Sequence, residues 1–305
     1  RLMLNDPYHI PVLLNVATNA LITDPEGLYV DVTFGGGGHS REILKNLTSG
    51  KLIAFDQDND ALENTIDDDR FTLVRQNFRN IENVLDVSST KNISGVLADL
   101  GVSSYQFDHP ERGFSFRFNN RLDMRMNSDS NFDAYQLINN YDEQQLQKVF
   151  SLFGDFRISE AKKLSSAIVN ARLIKSLETT FQLASLVEPL VPVKIRNQFL
   201  ARVFQSIRIE VNQELSALSE FLDQLPKVLQ QNGVVCIITY HSLEDRLVKN
   251  FFKSGNCDGV LEKDFYGNIT KPFTQLHRKP VTPDKAEIKL NPRARSAKLR
   301  IASKN

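Results

Sequence analysis

The chain has 305 residues, of which 41% are apolar and 24% charged, and its formal net charge is zero. That length supports a large core with a smaller insert, and the balanced charge removes any global electrostatic case for a nucleic-acid binder. The two cysteines, Cys236 and Cys257, have no partner at metal-ligand spacing; they exclude a zinc or disulfide framework and fit a reducing compartment, and with no apolar run long enough to span a bilayer the chain reads as soluble, cytoplasmic and without a membrane partner.

In chain order, strands are predicted at residues 28–34, 51–55, 71–74 and 94–100, separated by amphipathic stretches. Apolar runs alternating with helical periodicity are the signal of parallel βαβ units, hence an α/β sheet. Residues 111–195 contain no convincing strand and show helical patterns at 134–138, 143–152, 160–173 and 180–187. One long amphipathic helix is predicted over 198–225, ending at Pro226, before strands at 234–240 and 296–302. The α/β domain is therefore split, with 1–110 and 198–305 flanking a helical insert at 111–197.

Four consecutive glycines, 35–38, join the first strand to a helix-like stretch. Glycines cost backbone entropy and contribute no packing, so such a turn implies close approach of something to the main chain. The dinucleotide fingerprint wants a glycine where Ser40 stands. Asp56, at the end of the second strand, suits ribose hydroxyls of NAD and of S-adenosylmethionine equally. Asp99, at the end of the fourth, suits a cofactor ammonium or a substrate amine, or a cap formed with Ser103 and Ser104.

Further along, Arg112, Arg117, Arg121 and Arg125 interleave with Phe114, Phe116 and Phe118. Cations neutralise phosphates and rings stack on unpaired bases, which suits single-stranded RNA; a buried loop or edge strand has the same look. In the segment 240–246, Ser242 as N-cap and Asp245 at capping-box spacing explain themselves. His241 does not, and at a strand's carboxyl end it is placed to orient a substrate. From residue 271 onward ten Lys or Arg stand against Asp284 and Glu287, with Arg293 and Arg295 in a segment that fits either phosphate contact or charge guarding an edge strand.

Taken in order, the segments His9-Ile-Pro-Val-Leu-Leu14, Asp31-Val-Thr-Phe-Gly-Gly-Gly-Gly-His-Ser40, Asp99-Leu-Gly-Val-Ser-Ser104, Arg112-Gly-Phe-Ser-Phe116, Leu122-Asp-Met-Arg-Met126, Phe204-Gln-Ser-Ile-Arg-Ile-Glu-Val-Asn212, His241-Ser-Leu-Glu-Asp-Arg246 and Asn291-Pro-Arg-Ala-Arg-Ser296 strongly resemble the bacterial ribosomal RNA small-subunit methyltransferase H family, also called MraW. The resemblance implies a class I methyltransferase (Rossmann-like) sheet with an inserted all-helical domain. It implies S-adenosylmethionine-dependent methylation of the N4 amino group of one cytosine in the decoding region of 16S rRNA, with the small ribosomal subunit as partner and a homodimer allowed. Cofactor contacts carried over are Gly37, Gly38, His39, Asp56, Phe78, Asp99 and Gln106, with no metal. On that basis Asp99 and His241 are the candidate catalytic residues. Arg112, Phe114, Phe116, Arg125, Arg293 and Arg295 are the candidate RNA contacts. Tyr240 stands where phenylalanine is usual, Ser206 where alanine is usual, and 257–283 matches no motif. A nicotinamide-dependent oxidoreductase and a non-catalytic RNA-binding assembly factor are the competing readings.

Overall fold

The computed structural model describes residues 11–263, 265–267 and 271–305; His9, Ile10 and the side chain of Ser104 lie outside that description. In the first part of the chain come α1 (Leu14–Leu21), β1 (Leu28–Asp31), α2 (Gly38–Asn46), β2 (Lys51–Asp56), β3 (Phe71–Arg75), α3 (Ile81–Val87) and β4 (Ile93–Asp99). Helices follow: α4 (Ser104–Asp108), α5 (Ala134–Asn140), α6 (Glu143–Phe153), α7 (Ile158–Ile174), α8 (Thr180–Val187) and α9 (Arg196–Asn212). The last part holds α10 (Glu214–Val228), β5 (Leu229–Thr239), α11 (Ser242–Ser254), β6 (Phe273–Gln275), α12 (Lys285–Leu290) and β7 (Lys298–Lys304).

Two compact units result, one of residues up to 101 with 215–305, the other of 102–214. The first is an α/β unit whose seven-stranded sheet runs β3-β2-β1-β4-β5-β7-β6. Strands β1 to β5 are parallel, and β7 enters antiparallel between β5 and β6. The run Val96-Leu-Ala98 of β4 is wholly buried, as a parallel strand covered by helices on both faces must be. One face packs Leu218, Phe221 and Leu225 of α10 with Phe251 and Phe252 of α11. The other packs Ala17 and Leu21 of α1 with Ile43 and Leu44 of α2. Strand order reverses between β1 and β4, so their carboxyl ends form the switch point at which open sheets bind ligands.

The second unit is helical, with a core including Phe150, Leu164, Ile168, Leu183, Val203 and Ile207. Among its helices, α5, α6 and α8 begin in capping boxes, Asp133 with Gln136, Asp142 with Gln145 and Thr179 with Gln182, each satisfying two otherwise orphaned backbone donors.

The single helix predicted over 198–225 is two. Gln213 adopts a left-handed conformation, φ 50°, between α9 and α10, and Pro226 lies inside the last turn of α10 instead of ending it. The Asn212 side chain accepts from the Met126 amide and donates to the Met124 carbonyl, both at 2.7 Å, and so fixes the break. The compact insert accordingly runs 102–214, where the sequence reading set 111–197. Ser296 belongs to a 3-10 turn, Pro292–Ser296, ahead of β7, and the three-residue β6 is too short for its periodicity to be read.

Phe221 is fully buried on the sheet and meets Phe78 edge-on, ring centroids 5.4 Å apart. Replacing it with alanine is expected to cost about 3–5 kcal/mol, read as a lowered urea midpoint by circular dichroism since the chain has no tryptophan; an unchanged midpoint would contradict this packing.

Candidate active site

The glycine turn leaves β1 and enters α2. Gly35 and Gly37 have positive φ, 52° and 74°, which glycine adopts without strain. The Gly35 amide donates to Asp56 Oδ2 at 2.7 Å. A β-carbon on Gly37 would lie 2.8 Å from Phe34 Cζ, and one on Gly38 would lie 2.2 Å from Pro11 Cγ, whereas one on Gly36 would meet nothing within 4 Å. The chain's own packing leaves no room for side chains at Gly37 and Gly38. Open space lies at Gly36.

Asp31 ends β1 and is buried. It accepts from Ser40 Oγ at 2.6 Å and from the Thr33 amide at 3.1 Å. Burial raises its pKa above the usual carboxylate range, opposed by those bonds and by His39. Ser40, the residue that breaks the dinucleotide fingerprint, therefore has a structural task. Thr33 Oγ1 in turn accepts from the Asp99 amide at 2.6 Å.

Asp56 closes β2, its Oδ2 held by the Gly35 amide and its Oδ1 accepting from the Asp58 amide at 2.9 Å. Burial raises it to about 6 against both bonds, with Asp58 and Asp31 adding to the rise. Each carboxylate oxygen has two lone pairs, so acceptor capacity remains. Asp99 closes β4. Its Oδ1 accepts from the Tyr240 hydroxyl at 2.7 Å, and its Oδ2 lies 3.7 Å from His39 Nδ1. Burial raises Asp99 to about 6, while His39 and the Tyr240 bond pull it down. Its side chain nonetheless keeps 22% of its surface accessible against 6% for His39, so a ligand reaches the carboxylate before the imidazole. His39 Nε2 lies 3.0 Å from the Val12 carbonyl, an acceptor that requires a hydrogen on Nε2, and its Nδ1 faces Asp99.

His241 occupies the N-cap position of α11 without a capping bond, and its Nε2 stands 3.0 Å from Glu244 Oε1. Glu244 Oε2 accepts from the Tyr240 amide at 3.0 Å. Ser242 is thus the first helical residue and not the predicted cap. Asp245 is not in a capping box either; it pairs with Arg300, Nε to Oδ1 2.7 Å, and with Lys298 at 3.6 Å. Sequence reading missed Tyr240, Glu244 and Ser40 as members of this network; a polar residue at a strand's carboxyl end was the available signal. Phe78 lies partly buried after β3, against Phe221. Arg293 and Arg295 are exposed on the turn before β7, on either side of buried Ala294.

In the helical unit, Gln106 is buried and closes a capping box with Ser103 at the start of α4. Much of the arginine and phenylalanine stretch is engaged within its own loop. Arg112 donates to the carbonyls of Arg125 and Met126. Arg125 grips Asp123 through two bonds, 2.8 and 2.7 Å, and donates to the carbonyls of Ser128 and Ser130. Phe114 is buried, and Phe116 packs edge-on against Phe204 at 5.4 Å. Their physical task is to close a loop that has no regular ladder to satisfy its carbonyls. Arg117, Phe118 and Arg121 are the exposed members, Arg121 pairing with Asp133 at 2.7 Å.

A sheet in this strand order, with acidic residues ending β1, β2 and β4 around a glycine turn, defines the class I methyltransferase architecture. The match to the MraW methylase family extends over residues 6–305, and the chain belongs to that family. It is 52% identical over 298 residues to the ribosomal RNA small subunit methyltransferase H of Flavobacterium johnsoniae, covering 97% of this chain and 98% of that protein. To the protein of the same name from Bacteroides thetaiotaomicron it is 49% identical, with 97% of each covered. A solved rRNA methylase structure from Streptococcus thermophilus aligns with a TM-score of 0.42 at 12% identity, covering 99% of both chains.

Because Asp99 in the folded chain sits near 6 against an ordinary 3.8, the native state holds its proton more tightly between those values, and ionisation above them costs stability. Asp99→Asn should therefore stabilise the protein by about 1–3 kcal/mol at pH 7.5 and by little at pH 4. Urea unfolding at the two pH values checks this; an equal gain at both would show that charge is not its cause.

Proposed function

We propose that the chain transfers the methyl group of S-adenosylmethionine to the N4 amino group of a specific cytosine in the decoding region of 16S rRNA, acting on the small ribosomal subunit in the cytoplasm. The observation that carries this reading is the pair of carboxylates, Asp56 and Asp99, ending β2 and β4 on either side of the turn, in a chain of the MraW methylase family. Relatives named for ribosomal RNA small-subunit methylation support the substrate.

The residues suit the cofactor. Asp56, with spare lone pairs on both oxygens, is the acceptor for ribose hydroxyls. Asp99 has an accessible carboxylate edge for an ammonium, and His39 flanks it. Phe78 offers a ring beside β3. Bound S-adenosylmethionine supplies a methyl group already activated by its sulfonium. What remains for this chain is alignment: the cytosine amine is a weak nucleophile, its lone pair delocalised into the ring, and positioning lowers the barrier more than base strength does. His241 lies at the carboxyl end of β5, placed to shape the base pocket, and the amine proton leaves late, to solvent. Arg293 and Arg295 are the phosphate contacts.

Small-subunit particles lacking the modification, incubated with labelled cofactor, should take up label at one cytosine N4. Asp99→Ala should lower transfer by a factor of about 10³ or more, as loss of a charged anchor at the reacting end would. The double variant Arg293→Ala with Arg295→Ala should raise KM for the particle and flatten its salt dependence. Label on a guanine or a ribose would overturn the base assignment.

A further inference from the structure

Tyr240 is fixed from both directions. Its amide donates to Glu244 Oε2 and its hydroxyl to Asp99 Oδ1. The charged or titratable groups facing Asp99 are His39 from α2, Asp31 from β1 and Glu244 from α11; those facing Tyr240 include Glu244 and Glu287 of α12. Asp99 therefore shares its surroundings with two other carboxylates, and a buried acid so placed is driven towards its neutral form. A neutral acid has no Coulombic hold on a cation. The Tyr240 hydroxyl is the uncharged donor that opposes this, since a hydrogen bond to the charged form favours that form.

We propose that Tyr240 is a positioning residue for the cofactor: its hydroxyl pins Asp99 Oδ1 and keeps the carboxylate charged, leaving Oδ2 to receive the cationic amino end of S-adenosylmethionine. The inference rests on the cofactor assignment made under the proposed function. Burial and the neighbouring acids hold the phenol well above its usual titration range, so Tyr240 stays a donor across physiological pH. The bond also selects between the oxygens, because one is occupied and the other faces His39.

The test is calorimetric titration of S-adenosylmethionine into the wild-type protein, Tyr240→Phe and Asp99→Asn from pH 5 to 7.5, over most of which the ligand's own α-amino group stays protonated, the same ligand correction applying to all three proteins at the upper end. Wild-type affinity should fall as pH drops through about 6, the value near which Asp99 sits. In Tyr240→Phe the midpoint of that fall should move up by about one pH unit, the size of a lost hydrogen bond to a charged group, so that the two proteins differ most near pH 6 and converge towards pH 7.5. Asp99→Asn should bind weakly and lose the part of the fall that belongs to Asp99, leaving only that of Asp56, which also sits near 6. In steady-state assays of Tyr240→Phe, KM for the cofactor should rise more than kcat falls, and more so at pH 6 than at pH 7.5. An unmoved midpoint, or a loss of equal size at every pH, would overturn the role of Tyr240. Absence of cofactor binding by the wild-type protein would instead overturn the cofactor assignment itself.

Discussion

The bond from Ser40 Oγ to the buried carboxylate of Asp31 is the constraint from which the arrangement follows. An acid buried at the end of β1 requires donors, and those within reach come from the turn that leaves the strand, Ser40 and the Thr33 amide. Meeting that requirement dictates the path of the turn. Thr33 then accepts from the Asp99 amide, which locks the end of β4 to the same turn, while Gly35 reaches the end of β2 through Asp56. Three strand ends are thereby tied together by bonds that do not involve the sheet ladder.

That design has a thermodynamic cost. Asp56 and Asp99 are each held near 6 by burial, so at neutral pH both are charged at the expense of fold stability. Packing on the two faces of the sheet, including the phenylalanines of α10 and α11, offsets it. Acids poised in this way recur where proteins bind or transform ligands, and a sheet designed for stability alone would place asparagine there.

Much of the sheet was legible because central parallel strands must be apolar through their buried middles, and the strands set at 51–55 and 94–100 read that way at Leu52 to Phe55 and Val96 to Ala98. The helices of the insert were legible through their period. The break at Gln213 was not: neither glycine nor proline marks it, and its cause is the Asn212 side chain, which bonds to backbone more than eighty positions away in sequence. Asp56 and Asp99 were found because strand ends carry function in open sheets. Composition leaves the Arg112 to Arg125 stretch open, because it cannot tell a guanidinium that meets carbonyls, as Arg112 and Arg125 do, from one that meets phosphate. In the 240–246 segment a pattern with the spacing of a capping box proved to hold an ion pair to β7 and a carboxylate at the backbone of Tyr240.

Strands β4 and β5 are neighbours in the sheet, Val96 beside Val235, although residues 102–214 separate them in sequence. Leu13, at the start of α1, has its amide held by Glu287, 274 residues away, at 2.6 Å. Such long-range pairings give the α/β unit a high contact order, which slows folding because loops must close before their contacts repay them. During vectorial synthesis the hydroxyl that meets Asp99 emerges only after the helical segment has been made. Asp31 and Asp56 meet their partners within residues 31–58, but the nascent chain holds Asp99 without Tyr240 until the helical segment and β5 have been synthesised, so that end of the sheet is completed only as one of the last events of biogenesis.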